Sequence, residues 1–291
     1  MSQIRTYESL SRNYVPAFFT SDFYNPFYNL AVPTPFYHLS IAEEILNQPE
    51  LPEQISALLR SQRAAFLLGN TAPDVQTLSG QDRQATHFFD LPIVPGERPP
   101  WSRLLSIHPE LAQPGQLSDD QVAFLAGYLC HLQADWSWVI SIFSPVFGPG
   151  SGWQTYRHRL YLHNVLRSYL DSQILPELVP HMAGDLSQAN PDRWLPFVDE
   201  IYLVKWRDLL AGQLCEGCQV NTVEVFAARQ GVPSQNYYEL LQSEERLEME
   251  IFSHLPRPAL EEYRQTLLLD NILLLTNYLV DPGKLTWITF I

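Results

Sequence analysis

Cysteine is nearly absent: Cys130, Cys215 and Cys218 are the three in a chain of 291 residues. Three thiols are too few for a disulfide scaffold. Basic residues are scarce as well, 18 Lys and Arg against 32 Asp and Glu, for a formal net charge of −14. That balance argues against a protein that grips nucleic acid or anionic lipid mainly through Lys and Arg. No apolar run approaches the roughly 18 residues that a membrane span needs. The N-terminal segment carries only the short apolar stretch Val15 to Phe19, so no secretory signal is visible. With 46% apolar and 17% charged residues, the composition excludes a disordered chain. The expectation is an acidic, soluble, cytoplasmic globular protein with a substantial core.

Residues 1–31 are rich in Tyr, Phe, Asn and Ser and lack helical or strand periodicity. Helical patterns then dominate. His38 to Leu46 and Leu51 to Leu68 read as amphipathic helices, the second through Ile55, Leu58, Leu59, Ala65 and Phe66. Gly69 to Leu117 reads as a proline-rich loop, and loops of that length in compact domains tend to be functional. Asp119 or Asp120 caps a helix running toward Phe143, broken near Pro145. A helix over Thr155 to Asp171 follows, then patterns at about 193–211, 219–230, 234–254 and 258–279. No strand alternation persists, so the predicted fold class is all-α.

Within FLAGYLCHLQADW, His131 and Asp135 stand four residues apart. On a helix that spacing puts both on one face, one turn apart, where they can share a metal. Imidazole nitrogen with carboxylate oxygen suits zinc. The same spacing also fits a simple helical ion pair. Upstream, Asp74 lies in LLGNTAPDV and His87 in ATHFFD, both in the proline-rich loop, and His38 opens the helix PTPFYHLSIAEEIL. Singly, each suits a turn, cap or core role; together they make a candidate site.

The order His38, Asp74, His87, His131, Asp135, with gaps of 36, 13, 44 and 4 residues, resembles the zinc-dependent phospholipase C family. It is also similar to the related single-strand-specific zinc nucleases. The strings THFFD and FLAGYLCHLQAD carry the likeness, which covers about residues 33–171. The resemblance implies a helical bundle, expected over residues 32–186; the helices of 187–291 are expected to pack on the same domain. It also implies that Asp74, His87, His131 and Asp135 hold one zinc, with Asp135 bridging to a second held by His38. Asp74 then orients the attacking water or accepts its proton. The implied reaction is hydrolysis of a phosphodiester or phosphomonoester. A small phosphoester or a phospholipid-derived molecule is the expected substrate, and nucleic acid a less favoured one.

Departures from the family pattern cluster at its third zinc. There the family places a histidine six residues after the helical Asp, then a His-x-x-x-Glu or His-x-x-x-Asp pair. Ser141 and the pair His163 and Arg167 stand at those places, so two zinc ions are expected rather than three. Arg167 either supplies part of the missing zinc's charge or pairs with Asp171 one turn on. His181 and Asp185 form a substitute pair expected on a loop. The family's terminal amine ligand must be a free chain end. Residues 1–31 are therefore read as an extension, with Val32 a candidate start and the Pro33 amine a candidate ligand. Cys215 and Cys218 read as reduced thiols, Glu43 and Glu44 as a solvated face, and Trp136, Trp138, Phe143 and Phe147 as helix-packing residues. The alternative function is a non-catalytic helical protein retaining a structural metal or a degenerate site.

Overall fold

A computed structural model describes residues 32–94, 96–153, 155–218 and 220–281; the readings made of residues 1–31 lie outside them. Thr34 caps the first helix, its hydroxyl accepting from the Tyr37 amide at 3.2 Å, and Pro35 takes the first helical position. Helix α1 spans Pro35–Asn47, α2 Glu53–Ser61 and α3 Arg63–Gly69. A 3₁₀ turn, Ala72–Val75, leads to the short helices α4 (Gln76–Ser79), α5 (Arg83–His87) and α6 (Pro100–Ile107). Helix α7 covers Asp119–Trp138 and continues as a π-helical stretch, Val139–Phe147. Helices α8 (Tyr156–Ser187), α9 (Glu200–Gln213), α10 (Thr222–Gln230), α11 (Ser234–Leu241), α12 (Glu244–Leu247) and α13 (Arg257–Val280) follow. No strand occurs among the described residues, so the fold is all-α.

Helix α7 is the axis of the molecule. It is buried continuously from Val122 to Trp136, as expected of a helix that is apolar on nearly every side. Helices α1, α2, α3, α6 and α13 pack around it, and α8 packs on α1, α3, α9, α10 and α11. One apolar cluster runs from Phe36 in α1 to Tyr278 in α13, so the C-terminal helices share the core of the N-terminal ones.

The crossing of α3 and α7 is unusually close. A Cβ at Gly69 would sit 2.0 Å from the Phe124 carbonyl oxygen, and one at Gly127 would sit 2.2 Å from that of Phe66. Both obstacles are backbone and cannot swing aside. Gly127→Ala is therefore expected to destabilise the fold by about 3 kcal/mol, measured by urea unfolding. Unchanged stability would mean the two helices do not meet in this way.

Several elements differ from the periodicity reading. Leu51 to Leu68 is two helices hinged at Gln62. The proline-rich loop contains short helices that carry Asp74 and His87. Helix α8 runs past Pro176 and Pro180, because burial of Leu178, Met182 and Leu186 outweighs the lost ladder bonds. His181 and Asp185 thus lie on a helix, where Asp185 accepts from Arg63 at 2.8 Å and His181 is exposed. The Arg63 guanidinium also pairs with Glu43, and Arg264 donates to Glu44 at 2.7 Å, so neither glutamate belongs to a merely solvated face. Cys215 and Cys218 form a disulfide rather than two thiols, since Gly217 at φ +75° closes the turn between them. No described helix is long and apolar enough to cross a membrane.

Candidate metal centre

Five side chains from four segments converge beside the α3–α7 crossing. His38 comes from the first turns of α1, Asp74 from the 3₁₀ turn, His87 from the end of α5, and His131 and Asp135 from α7. Asp135 is the hub. Its Oδ1 lies 3.3 Å from His38 Nε2, and its Oδ2 lies 3.5 Å from His87 Nε2 and 3.7 Å from His131 Nε2. His87 Nε2 also lies 3.5 Å from Asp74 Oδ1. The His38 and His131 rings stack with centroids 3.8 Å apart.

These atoms face one another yet lack the alignment of hydrogen bonds. His38 Nε2, His87 Nε2, His131 Nε2 and Asp135 Oδ1 are all buried without a hydrogen-bond partner. Buried polar atoms are almost always satisfied, so four such atoms meeting at one place call for an ion between them. Two overlapping sets have donor atoms within 4.8 Å of one another: His38, His131 and Asp135, and Asp74, His87 and His131. Nitrogen and carboxylate oxygen in this mixture suit zinc.

The far nitrogens fix the rings. His131 Nδ1 lies 2.8 Å from the Asn70 carbonyl oxygen, which the α3 terminus presents across the close crossing. His87 Nδ1 lies 3.0 Å from Thr86 Oγ1. Such partners leave Nε2 as the metal-facing atom. Arg83 is a participant with no signature in the sequence. Its guanidinium donates to Asp135 Oδ2 at 2.7 Å and lies over the Phe89 ring.

Electrostatics favours the ligand form of Asp135, Asp74, His38 and His87, whereas His131, which burial alone would lower, is raised by the Asp135 and Asp74 charges facing it. Burial works against the Asp135 charge, but His131, His38 and Arg83 hold its carboxyl well below the usual range. Asp74 is likewise lowered, His87 and His131 overcoming burial. Burial, with His131 beside it, lowers His38; burial and the Arg83 charge lower His87 to about 4. Both imidazoles are thus neutral at neutral pH and able to donate a lone pair.

The remaining candidates fall elsewhere. His163 joins neither cluster: its Nε2 accepts from the Trp138 indole at 3.0 Å, and Phe143 and Phe147 flank its ring, each at 5.0 Å. Trp138, Phe143 and Phe147, three of the aromatic residues expected to pack helices, do so around this histidine. Ser141 is exposed on the π-helical stretch. Arg167 is buried, lies over the Phe226 ring, and donates to Asn164 Oδ1 at 3.0 Å. It lines a cavity of about 110 Å³ together with Asp74, Pro33 and Thr34. Asp74 is 14% exposed, whereas the other four candidate ligands are at 0–1%, so it links the buried cluster to that cavity.

Asp171 binds hydroxyls rather than pairing directly with Arg167. It accepts from Thr34 and, at 2.7 Å, from Thr222. Burial raises its pKa from 3.8 to about 7 against the pull of those hydroxyls and Arg167. In the unfolded chain it ionises near 3.8, so its contribution is fully present below that pH and is lost as pH rises toward 7. Wild type is expected to lose up to about 4 kcal/mol over this window that Asp171→Asn does not lose. Urea unfolding of both proteins across the window measures the difference, and parallel curves would contradict it.

Neither a curated protein nor a solved structure matches the chain. The family description zinc dependent phospholipase C matches residues 37–172. All five converging side chains lie inside that span, and on this evidence the segment is zinc dependent phospholipase C-like.

Proposed function

We propose that this protein is a zinc-dependent phosphoester hydrolase in which His38, Asp74, His87, His131 and Asp135 hold two metal ions. The observation that carries the reading is the convergence of four buried, unpartnered ligand atoms at a place that opens through Asp74 into a cavity. Zinc, when bound, supplies acidity to a water molecule and positive charge for the phosphoryl oxygens. Asp135, held by Arg83 and facing three histidines, keeps the ligand frame in register. Asn70 and Thr86 orient His131 and His87. Asp74 stays ionised at the cavity wall and accepts the proton of the attacking water. Arg167 presents a fixed cation to the phosphate on the cavity side, taking part of the charge role of a third ion. Water adds to phosphorus and the ester oxygen leaves as the alcohol; the second product is a phosphomonoester from a diester, or phosphate from a monoester. The substrate is a small phosphodiester or phosphomonoester, including phospholipid-derived ones.

Zinc content and hydrolysis of bis-p-nitrophenyl phosphate test the proposal. Dipicolinate is expected to abolish turnover while the helical circular dichroism signal persists. A second reading, a non-catalytic protein with a structural metal, is favoured by the box around His163 and the exposure of Ser141. It predicts that the chelator melts the helices and that zinc-loaded protein hydrolyses nothing.

A further inference from the structure

The Cys215–Cys218 disulfide closes the turn that joins α9 to α10. These two helices form one wall of the cavity beyond Asp74, through Trp206, Leu210, Gln213, Thr222 and Phe226. The turn flanks that wall directly, and the Asn221 amide after it donates to Gln213 Oε1 before it, at 3.0 Å. From Thr222 a polar chain runs inward. Its hydroxyl donates to Asp171 at 2.7 Å, and Asp171 also accepts from Thr34, the cap of α1, whose first turns carry His38. The disulfide is placed for exchange: Cys218 and the intervening Glu216 and Gly217 are exposed and Cys215 is half-buried, whereas Cys130 is buried. A bridge between cysteines 3 residues apart restrains the unfolded chain far less than one that closes a long loop, so stability gives little reason for it. Both oxidation states have a seat. Cys215 Sγ lies 3.3 Å from the Gly212 carbonyl oxygen, to which a free thiol can donate.

We propose that Cys215 and Cys218 form a reversible thiol–disulfide site, driven by exchange with a low-molecular-weight thiol, that sets the fit of the cavity wall and through it the KM. The exchange is independent of any activity; its effect on KM rests on the hydrolase reading. A thiolate attacks Cys218 Sγ, the more exposed sulfur, the bond to Cys215 breaks, and Cys215 leaves as a thiolate that takes up a proton. A second thiol then displaces Cys218 from the mixed disulfide. Two external thiols are thereby oxidised to one disulfide as Cys215 and Cys218 are reduced to two thiols. In the oxidised form the bridge pins the end of α9 to the approach of α10. In the reduced form the turn is held by weaker links, the Cys218 amide to the Cys215 carbonyl at 2.9 Å and the Asn221 amide to Gln213. Gln213 and Thr222, which meet the cavity, then move more freely.

The test uses zinc-loaded, full-length protein equilibrated with reduced and oxidised glutathione at varied ratios. Iodoacetamide labelling read by mass is expected to show two thiols appearing together, at Cys215 and Cys218, as the buffer becomes reducing. The KM for bis-p-nitrophenyl phosphate is expected to be about fivefold higher in the reduced form, with kcat within about twofold. A double variant, Cys215→Ser with Cys218→Ser, is expected to keep the reduced form's KM at every ratio. A KM shift that persists in the double variant, or a wild-type KM that stays constant once the thiols have appeared, overturns the proposal and leaves hydrolysis standing. A pair that stays oxidised in reduced glutathione overturns it as well. Hydrogen exchange gives a readout that needs no turnover: on reduction, amides of α9 and α10 are expected to exchange about tenfold faster, while those of α7 hold. Unchanged exchange in α9 and α10 beside a reduced pair overturns the role given to the wall. Reversible labelling with the exchange change, and no ester hydrolysed in either form, sustains the redox site and overturns the hydrolase reading.

Discussion

Asp135→Asn is expected to reduce bound zinc to background and turnover by about a thousandfold or more. Both carboxylate oxygens of Asp135 are in use, Oδ1 toward His38 and Oδ2 toward His87, His131 and Arg83. Asparagine keeps the shape, removes the charge, and turns an N–H₂ group toward nitrogens or a cation. The Arg83 guanidinium, nearly buried, would lose its opposite charge. Breaking a buried pair from one side costs about 3–5 kcal/mol, so the variant should also unfold at lower urea. Pairing it with Arg83→Gln separates the two effects. The double variant should regain much of the stability and none of the zinc, a coupling that a double-mutant cycle quantifies. Metal analysis after dialysis decides the matter, and stoichiometric zinc in Asp135→Asn would refute the proposed ligand frame.

The second large effect is expected at Asp74. Asp74→Asn should retain part of the zinc, because four of the five ligand candidates remain, while kcat falls about 10²–10⁴-fold. The residue sits at the cavity wall rather than in the sealed part of the cluster, so its loss exposes no buried charge comparable with that of Arg83. Stability should therefore change less than in Asp135→Asn. Zinc stoichiometry measured beside steady-state kinetics distinguishes a lost proton acceptor from a lost ligand. Full turnover in the variant would remove Asp74 from the chemistry.

The ligand candidates were readable from the chain because their side chains are chemically distinctive and two of them share a helical spacing. His131 and Asp135 need only α7 to be a helix, and α7 is. His38, Asp74 and His87 were legible by their order, which the fold then gathers. Arg83 was not, since an arginine in a proline-rich segment has no signature until Asp135 is seen opposite it. Asn70 acts through its backbone carbonyl, which no residue pattern can report. His163 has the expected residue type on the expected helix, and the aromatic groups around it come from the two elements just before α8, which spacing alone does not show. The helix expected to end at Asp171 runs on to Ser187, because local periodicity does not report the packing of Met182 and Leu186. The disulfide at Cys215 and Cys218 depends on a turn geometry that spacing alone leaves open.

The widened coil after Trp138 places a limit on redesign. Ser141 faces outward there, so a histidine grafted at that site would project toward bulk water, not inward. An acid in place of Arg167 would also meet a His163 whose Nε2 already accepts from the Trp138 indole. Building a third metal position there would therefore call for moving main chain around Ser141 as well as exchanging side chains.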